Sequence, residues 1–350
     1  MNNIKIEGKR IGLNSPVFLI AEAGVNHNGE INLAKRMIDI AEDLKVDAIK
    51  FQTFNADDLI LKTVPKVEYQ KASKTDKETF YDLIKKLEFT KNQFKELKQY
   101  CLKRNLIFLS TPFDQSSVNL LDELGISAFK VSSGDMNNYF LLKLICSKKK
   151  PILLSTGMAT LEEVKSTISF IKSNGIQEIV LFQCTTNYPA SYEELNLNVI
   201  DTYKKLFPNV ILGFSDHSLG IEASIAAVIK GVKVIEKHFT LDKNMKGPDH
   251  RASLNPEELK SWVIAIRNVE RSLGSSIKKP SKKEIEIRKI ARKSIISSLN
   301  LEKGAILNTN NITVKRPEGG IPPNEFYKII GKRVKKDILK DTIIHWEDIE

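Results

Sequence analysis

Cysteine is scarce in this chain of 350 residues. Cys101, Cys146 and Cys184 are odd in number and far apart. They offer neither a disulfide framework nor a thiolate zinc cluster, and a reducing cytoplasm is the expected compartment. Long uncharged apolar runs are missing too, so no membrane span and no membrane partner are expected. The opening MNNIKIEGKRIG lacks the apolar core of a secretory signal. No glycine-rich dinucleotide fingerprint follows any strand-like run, which leaves a doubly wound nucleotide-binding sheet without support. Acidic residues are outnumbered: 43 Asp and Glu face 54 Lys and Arg, for a formal charge of +11. The excess is spread along the chain, with local runs at Lys148–Lys150, Lys278–Lys283 and Lys335–Lys336. No nucleic-acid motif accompanies them, so no nucleic acid is expected as partner. An anionic small substrate is compatible with the charge but not selected by it.

What is present is a repeated pattern. Short apolar runs at Val17–Ala21, Ala48–Phe51, Leu106–Leu109, Ala128–Val131, Ile152–Leu154, Ile179–Phe182, Val210–Phe214 and Val232–Ile235 each end in polar residues. Most are followed by a segment of helical spacing. Eight strand–helix repeats in about 250 residues predict an α/β fold, a (β/α)8 TIM barrel. Thr160 with Glu163, and Asn255 with Pro256 and Glu258, are helix-start signals that agree with it. Residues 1–16 read as a small N-terminal hairpin and 17–272 as the barrel. Residues 273–289, in the SLGSSIKKPSKK region, read as a linker, and 290–350 as a small second domain. Asp57–Lys77 is too long and polar for a routine connection; it reads as a lid or binding loop, with a disordered surface loop as the equal alternative.

In such barrels the chemistry gathers at the carboxyl ends of the strands. Those ends supply Glu22, Lys50 with Gln52, Thr111, Lys130 with Ser133 and Asp135, Ser155, Thr186 with Tyr188, Ser215 with His217, and Glu236 with His238. Val210–Thr240 is a strand–helix–strand unit, so its strands run parallel. Neighbouring strands lie about 4.8 Å apart, which would set His217 and His238 side by side as two ligands of one divalent metal. Lys50 and Lys130 interrupt apolar runs, where an ammonium needs an anionic partner. With the hydroxyls they make a cradle for phosphate or carboxylate. Two mechanisms fit: a metal polarises a carbonyl while the lysines hold an anion, or a lysine forms a Schiff base as in many barrel aldolases. The first is preferred because it uses the histidines. A basic binding protein with an inactive barrel is the rival from another class; the intact set of polar strand ends argues against it.

Taken together, the motifs resemble the sialic acid synthase family. The resemblance rests on AEAGVNHNG (21–29), KFQT (50–53), STPF (110–113), KVSSGD (130–135), LSTGM (154–158), GFSDH (213–217), IEKHFT (235–240) and KGPD (246–249), in that order. It implies a barrel followed by an antifreeze-like (SAF) domain, in a domain-swapped homodimer. It implies condensation of phosphoenolpyruvate with an N-acetylated amino-sugar aldehyde and water. The acceptor so implied is N-acetylmannosamine, which would make the chain an N-acetylneuraminate synthase. A legionaminic acid synthase, using 2,4-diacetamido-2,4,6-trideoxymannose, is the near alternative, and a Schiff-base aldolase the distant one. By motif, His217 and His238 would bind a divalent cation, expected to be Mn2+, and Glu22 would act as acid and base. Lys50, Thr111, Lys130, Ser133, Ser155, Thr186 and Ser215 would hold phosphoenolpyruvate. Gln52, Phe113, Asp135, Tyr188 and Asp249 would line the sugar site. Arg316 would reach the partner subunit's site and meet the N-acetyl group. Asp135 stands where some relatives carry glutamate, and Thr186 where some carry asparagine or serine; the shorter Asp135 arm weakens its expected sugar contact.

Overall fold

The computed structural model describes residues 3–66 and 79–350. The chain divides into two compact units, Met1–Gly274 and Ser275–Glu350.

The first unit opens with a hairpin, β1 (Ile4–Ile6) paired antiparallel with β2 (Lys9–Ile11). Eight parallel strands follow: β3 (Phe18–Gly24), β4 (Ala48–Thr53), β5 (Ile107–Pro112), β6 (Phe129–Val131), β7 (Ile152–Ser155), β8 (Ile179–Cys184), β9 (Ile211–Asp216) and β10 (Val234–His238). Their order is β5-β4-β3-β10-β9-β8-β7-β6, and β5 packs beside β6 without a ladder among the described residues, so the barrel is nearly closed. Helices α1 (Ile31–Asp43), α4 (Lys91–Lys103), α5 (Gln115–Glu123), α6 (Tyr139–Ser147), α7 (Leu161–Ser173), α8 (Val199–Leu206), α9 (Glu222–Ile229) and α10 (Pro256–Leu273) form the outer layer. Their starts are set locally. Thr90 with Gln93, Thr160 with Glu163 and Asn255 with Glu258 form reciprocal capping boxes, each satisfying amides that the first turn leaves bare.

The period-2 alternation of the strands sorts side chains into two sets. Leu19, Ile49, Phe108, Leu154, Leu181, Leu212 and Ile235 pack outward among helix residues such as Met37, Leu97 and Trp262. Phe18, Ile20, Ala48, Ile107, Leu109, Ala128, Leu153, Val180, Phe182, Ile211 and Val234 fill the interior with Ile4, Ile6 and Ile11 of the hairpin. The hairpin therefore stops the amino-terminal end of the barrel. Each of its three isoleucines is fully buried, which contributes roughly 1.5–3 kcal/mol apiece. Lys9 pairs with Asp47, whose Oδ2 also accepts from the Leu19 amide at 2.6 Å and from Arg267 at 3.1 Å.

Between β4 and α4 lie two short helices, α2 (Ala56–Leu59) and α3 (Phe80–Leu87). Of the Asp57–Lys77 stretch, residues 57–66 are described and Pro65 bridges to Thr79; the rest lies outside the described residues.

The second unit begins within the stretch expected as a linker. Ser281 caps α11 (Lys282–Ala291) through a capping box with Glu284, so part of 273–289 is helical. β11 (Ser294–Ser297) pairs antiparallel with β12 (Ile312–Lys315), and α12 spans Phe326–Ile329. Ile295, Leu307, Ile312, Ile321, Ile329 and Ile344 make a separate core.

Candidate active site

Follow each strand's inward face toward its carboxyl end and it changes character. Ile20 is succeeded by Glu22, Ala48 by Lys50, Leu109 by Thr111, Ala128 by Lys130, Leu153 by Ser155, Gly213 by Ser215 and Val234 by Glu236. The same alternation that packs the barrel therefore gathers polar groups in one layer. They floor a cavity of about 430 Å³.

Four of these groups are buried charges. Lys50 Nζ lies 2.7 Å from Glu22 Oε2 and 3.4 Å from Glu236 Oε2, and donates to Thr111 Oγ1 at 3.1 Å. Lys130 Nζ lies 3.6 Å from Glu236 Oε1 and donates to Ser155 Oγ at 2.6 Å. Ser215 Oγ donates to Glu236 Oε1 at 2.9 Å. Buried charges persist only when compensated in this way. Burial pushes the Glu22 carboxyl up to about 7 against the opposing pull of Lys50. Burial acts on Glu236 as well, but Lys130 and Lys50 outweigh it and hold that carboxyl at about 2. Burial lowers Lys130, whereas Glu22 and Glu236 overcome burial at Lys50 and raise it. Glu236 is thus the shared counter-ion of both lysines.

Beside this floor stand the two histidines. The rings of His217 and His238 are 5.4 Å apart. His217 Nδ1 donates to the Thr185 carbonyl at 2.7 Å, and its Nε2 faces the cavity in hydrogen-bond contact with Ser215 Oγ at 3.3 Å. His238 Nδ1 is buried without a hydrogen-bond partner among the described residues. Burial, with His217 and Lys50 nearby, holds His238 far below the usual histidine range, so it is neutral. Burial pulls His217 down as well, but Cys184 and the Thr185 carbonyl outweigh it and raise that ring; two imidazoles facing one cavity are nonetheless a donor pair that suits a divalent cation. The Tyr188 ring covers the pair, at 4.2 Å from His217 and 5.5 Å from His238.

Gln52, Phe113, Ser133, Thr186 and Asp249 also line the cavity. Burial raises the Asp249 carboxyl to about 6, and its Oδ2 lies 3.9 Å from His238 Nδ1. The β7 loop comes close because Gly157 has no side chain: its amide donates to Ser133 Oγ at 2.9 Å, and a Cβ there would sit 2.1 Å from Thr186 Oγ1. Asp135 departs from expectation. It is not on the cavity wall, because its carboxylate accepts from Ser132 Oγ at 2.7 Å and Asn138 Nδ2 at 3.1 Å in a local turn. Arg316 belongs to the second unit, where it is exposed. Two groups had no role assigned from sequence. Glu236 could have been found, since it shares the inward face of His238 two residues on. Cys184, the last residue of β8, lines the floor with its Sγ 3.9 Å from His217 Nδ1. The mouth has an apolar side, formed by Val25, Phe54, Leu59, Phe80, Leu83, Ile84 and Leu87.

Fold and site define a (β/α)8 barrel with a charged, two-histidine cavity at its carboxyl mouth, followed by a small second domain. A sequence model of the NeuB family matches residues 37–278, and one of the SAF domain matches residues 292–350. The chain belongs to the NeuB family. It is 45% identical to an N,N'-diacetyllegionaminic acid synthase of Campylobacter jejuni, over 93% of this chain and 98% of that protein. It is 43% identical to one of Legionella pneumophila, over 100% and 99%. The crystal structure of an N-acetylneuraminic acid synthetase from Leptospira borgpetersenii matches with a TM-score of 0.71 at 36% identity, over 82% of this chain and 96% of that one. No helix among the described residues is long and apolar enough to cross a membrane.

Proposed function

We propose that the chain condenses phosphoenolpyruvate with an N-acetylated amino-sugar aldehyde and water, giving a nine-carbon 2-keto sugar acid and inorganic phosphate. One observation carries this: a floor of two buried lysines adjoins two imidazoles in a single cavity. His217 and His238 would hold the divalent cation, for which Mn2+ is the proposal; when bound, it supplies Lewis-acid polarisation of the aldehyde oxygen.

The chain's own groups do the rest. Lys130, Lys50, Ser155, Thr111 and Ser215 hold the carboxylate and phosphate of phosphoenolpyruvate, with Ser133 and Thr186 at the rim. Carbon 3 of phosphoenolpyruvate attacks the aldehyde carbon, forming the C–C bond, and the aldehyde oxygen takes a proton. Glu22, titrating at about 7, is protonated often enough near neutrality to give it. Water then adds at carbon 2 and surrenders a proton to the Glu22 carboxylate. The tetrahedral adduct collapses with cleavage of the C2–O bond to phosphate; the C2 hydroxyl proton passes to the departing phosphate, and the keto group forms. Glu236 stays charged throughout and keeps Lys50 protonated. Gln52, Phe113, Tyr188 and Asp249 orient the acceptor. Arg316 meets the acetamido group from a partner subunit in a homodimer.

For the acceptor, 2,4-diacetamido-2,4,6-trideoxymannose is proposed first and N-acetylmannosamine second. The apolar side of the mouth suits a methyl carbon and acetamido methyls better than a polyhydroxyl tail. The greater identity to the two legionaminic acid synthases points the same way. One observation favours a Schiff-base aldolase instead: burial disfavours the charged form of Lys130. Phosphate release with Mn2+ and each sugar separates these readings. Release with the diacetamido sugar, loss on chelation, and no borohydride-trapped lysine with pyruvate support the proposal. Preference for N-acetylmannosamine changes the acceptor alone. A trapped lysine, or no release with either sugar, overturns the mechanism.

A further inference from the structure

On the outward faces of β9 and β10, one residue from each histidine, lies a second charged pair that touches neither cavity nor solvent. Asp216 precedes His217 and Lys237 precedes His238, and the two are register partners across the ladder. Lys237 Nζ lies 2.9 Å from Asp216 Oδ2, with both side chains 0% exposed. The pair's other described hydrogen bonds go to Ser218 and the outer helix layer. Lys237 donates to the Ser218 carbonyl at 2.7 Å. Asp216 Oδ1 accepts from the Ser218 amide at 3.0 Å and its hydroxyl at 2.6 Å. Asp216 Oδ2 accepts from Ser224 Oγ of α9 at 2.6 Å, and that oxygen accepts from Trp262 Nε1 of α10 at 2.9 Å.

Stability alone does not account for this arrangement. A buried ion pair is on average no more stabilising than an apolar pair of like volume. What it adds is direction. His217 sits between Asp216 and Ser218, and both are tied to Lys237, so the backbone on either side of its imidazole is anchored to one buried ion pair. Lys237 is in turn the neighbour of His238. We infer that Asp216 and Lys237 are positioning residues: through the Ser218 turn and the helix layer they fix the spacing and ring orientation of His217 and His238, and so set how tightly that pair grips a divalent cation. The cation part rests on the proposed function; the orientation part does not.

The test is the double variant Asp216→Asn/Lys237→Met, which removes both charges at nearly constant volume, with Lys237→Arg as the conservative control. Nitrogen-15 NMR of histidine-labelled, metal-free protein reads the ring tautomers. In the parent, His217 should be a single Nδ1–H tautomer, held by the Thr185 carbonyl. In the double variant we expect a mixture of tautomers, with melting temperature and circular dichroism close to the parent and recovery in Lys237→Arg. Mn2+ binding, read by electron paramagnetic resonance of the free ion, should weaken ~10–100-fold, the range for groups that orient metal ligands. A single unchanged tautomer in the double variant overturns the inference. So does an unchanged Mn2+ affinity in a double variant whose parent binds the ion. If the parent itself binds no Mn2+, the metal reading falls and the tautomer arm decides the inference alone. Should the double variant not fold, Ser224→Ala, which cuts only the link to α9 and α10, takes the same two readouts, with the same overturning results.

Discussion

The two ends of this barrel are built from the same strands by the same alternation, yet they do opposite things. At the amino end the inward positions are Phe18, Ile107, Ala128, Val180 and Val234, packed against three hairpin isoleucines. Further along the same inward faces, at the carboxyl end, stand two carboxylates, two ammonium groups and several hydroxyls. The first end resembles any protein interior. The second would be unaffordable in isolation and exists because each charge has a neighbour of opposite sign within 3.6 Å. A barrel interior can thus hold a polar machine provided an apolar plug beneath it carries the stability.

That division of labour can be broken at either end. The largest effect belongs to His217→Ala and His238→Ala. Each should lower metal-dependent phosphate release by ~10³-fold or more, with circular dichroism and melting temperature close to the parent; activity in the chelated variants equal to the parent would defeat the assignment. Next is Glu236→Gln, which strands two lysines on one remaining carboxylate. We expect a loss of about 3 kcal/mol in stability by urea unfolding together with a ~10²-fold fall in turnover. At the other end, Ile6→Ala leaves a cavity under the barrel. It should cost about 2–4 kcal/mol in stability while kcat of the folded enzyme changes little; equal losses in both would show that the ends are not separable.

A finer test uses pH. The folded Glu22 carboxyl titrates at about 7, above its ordinary 4.5. The native state therefore binds more protons than the unfolded chain between these values, so this group's stabilising contribution is full below about 4.5 and is lost as pH rises through about 7. In metal-free protein the parent's melting temperature should decline from pH 5 to 8, and Glu22→Gln should flatten that decline. The smallest effect is reserved for Asp135→Ala. With its carboxylate occupied by Ser132 and Asn138, acceptor KM should move by no more than ~2-fold, whereas Asp249→Ala should raise it by ~10-fold or more.

Most of the barrel was legible in sequence because strand ends punctuate it eight times and helix caps stand at fixed offsets. The paired histidines were legible for the same reason: both follow β-branched runs joined by a helix. The ion-pair partners were not. That Glu236 serves both lysines depends on closure of the sheet, which brings β10 across the cavity from β6, a fact no local pattern contains. SSGD looks like a strand end offering a carboxylate to the cavity, while in the folded chain Asp135 turns to Ser132 and Asn138. The helix at Lys282–Ala291 was missed in a lysine-rich stretch, although Ser281 and Glu284 were its capping signal.

The hairpin stopper has a kinetic consequence. Among the described residues the cavity is blocked at the hairpin end, which leaves the carboxyl end as the way in. Under the proposed function, a ligand on the lysine floor should arrive before an acceptor held nearer the mouth and leave after it. The plug that stabilises the fold thereby imposes an order of traffic: the floor ligand should bind first, and the acceptor alone should form no productive complex.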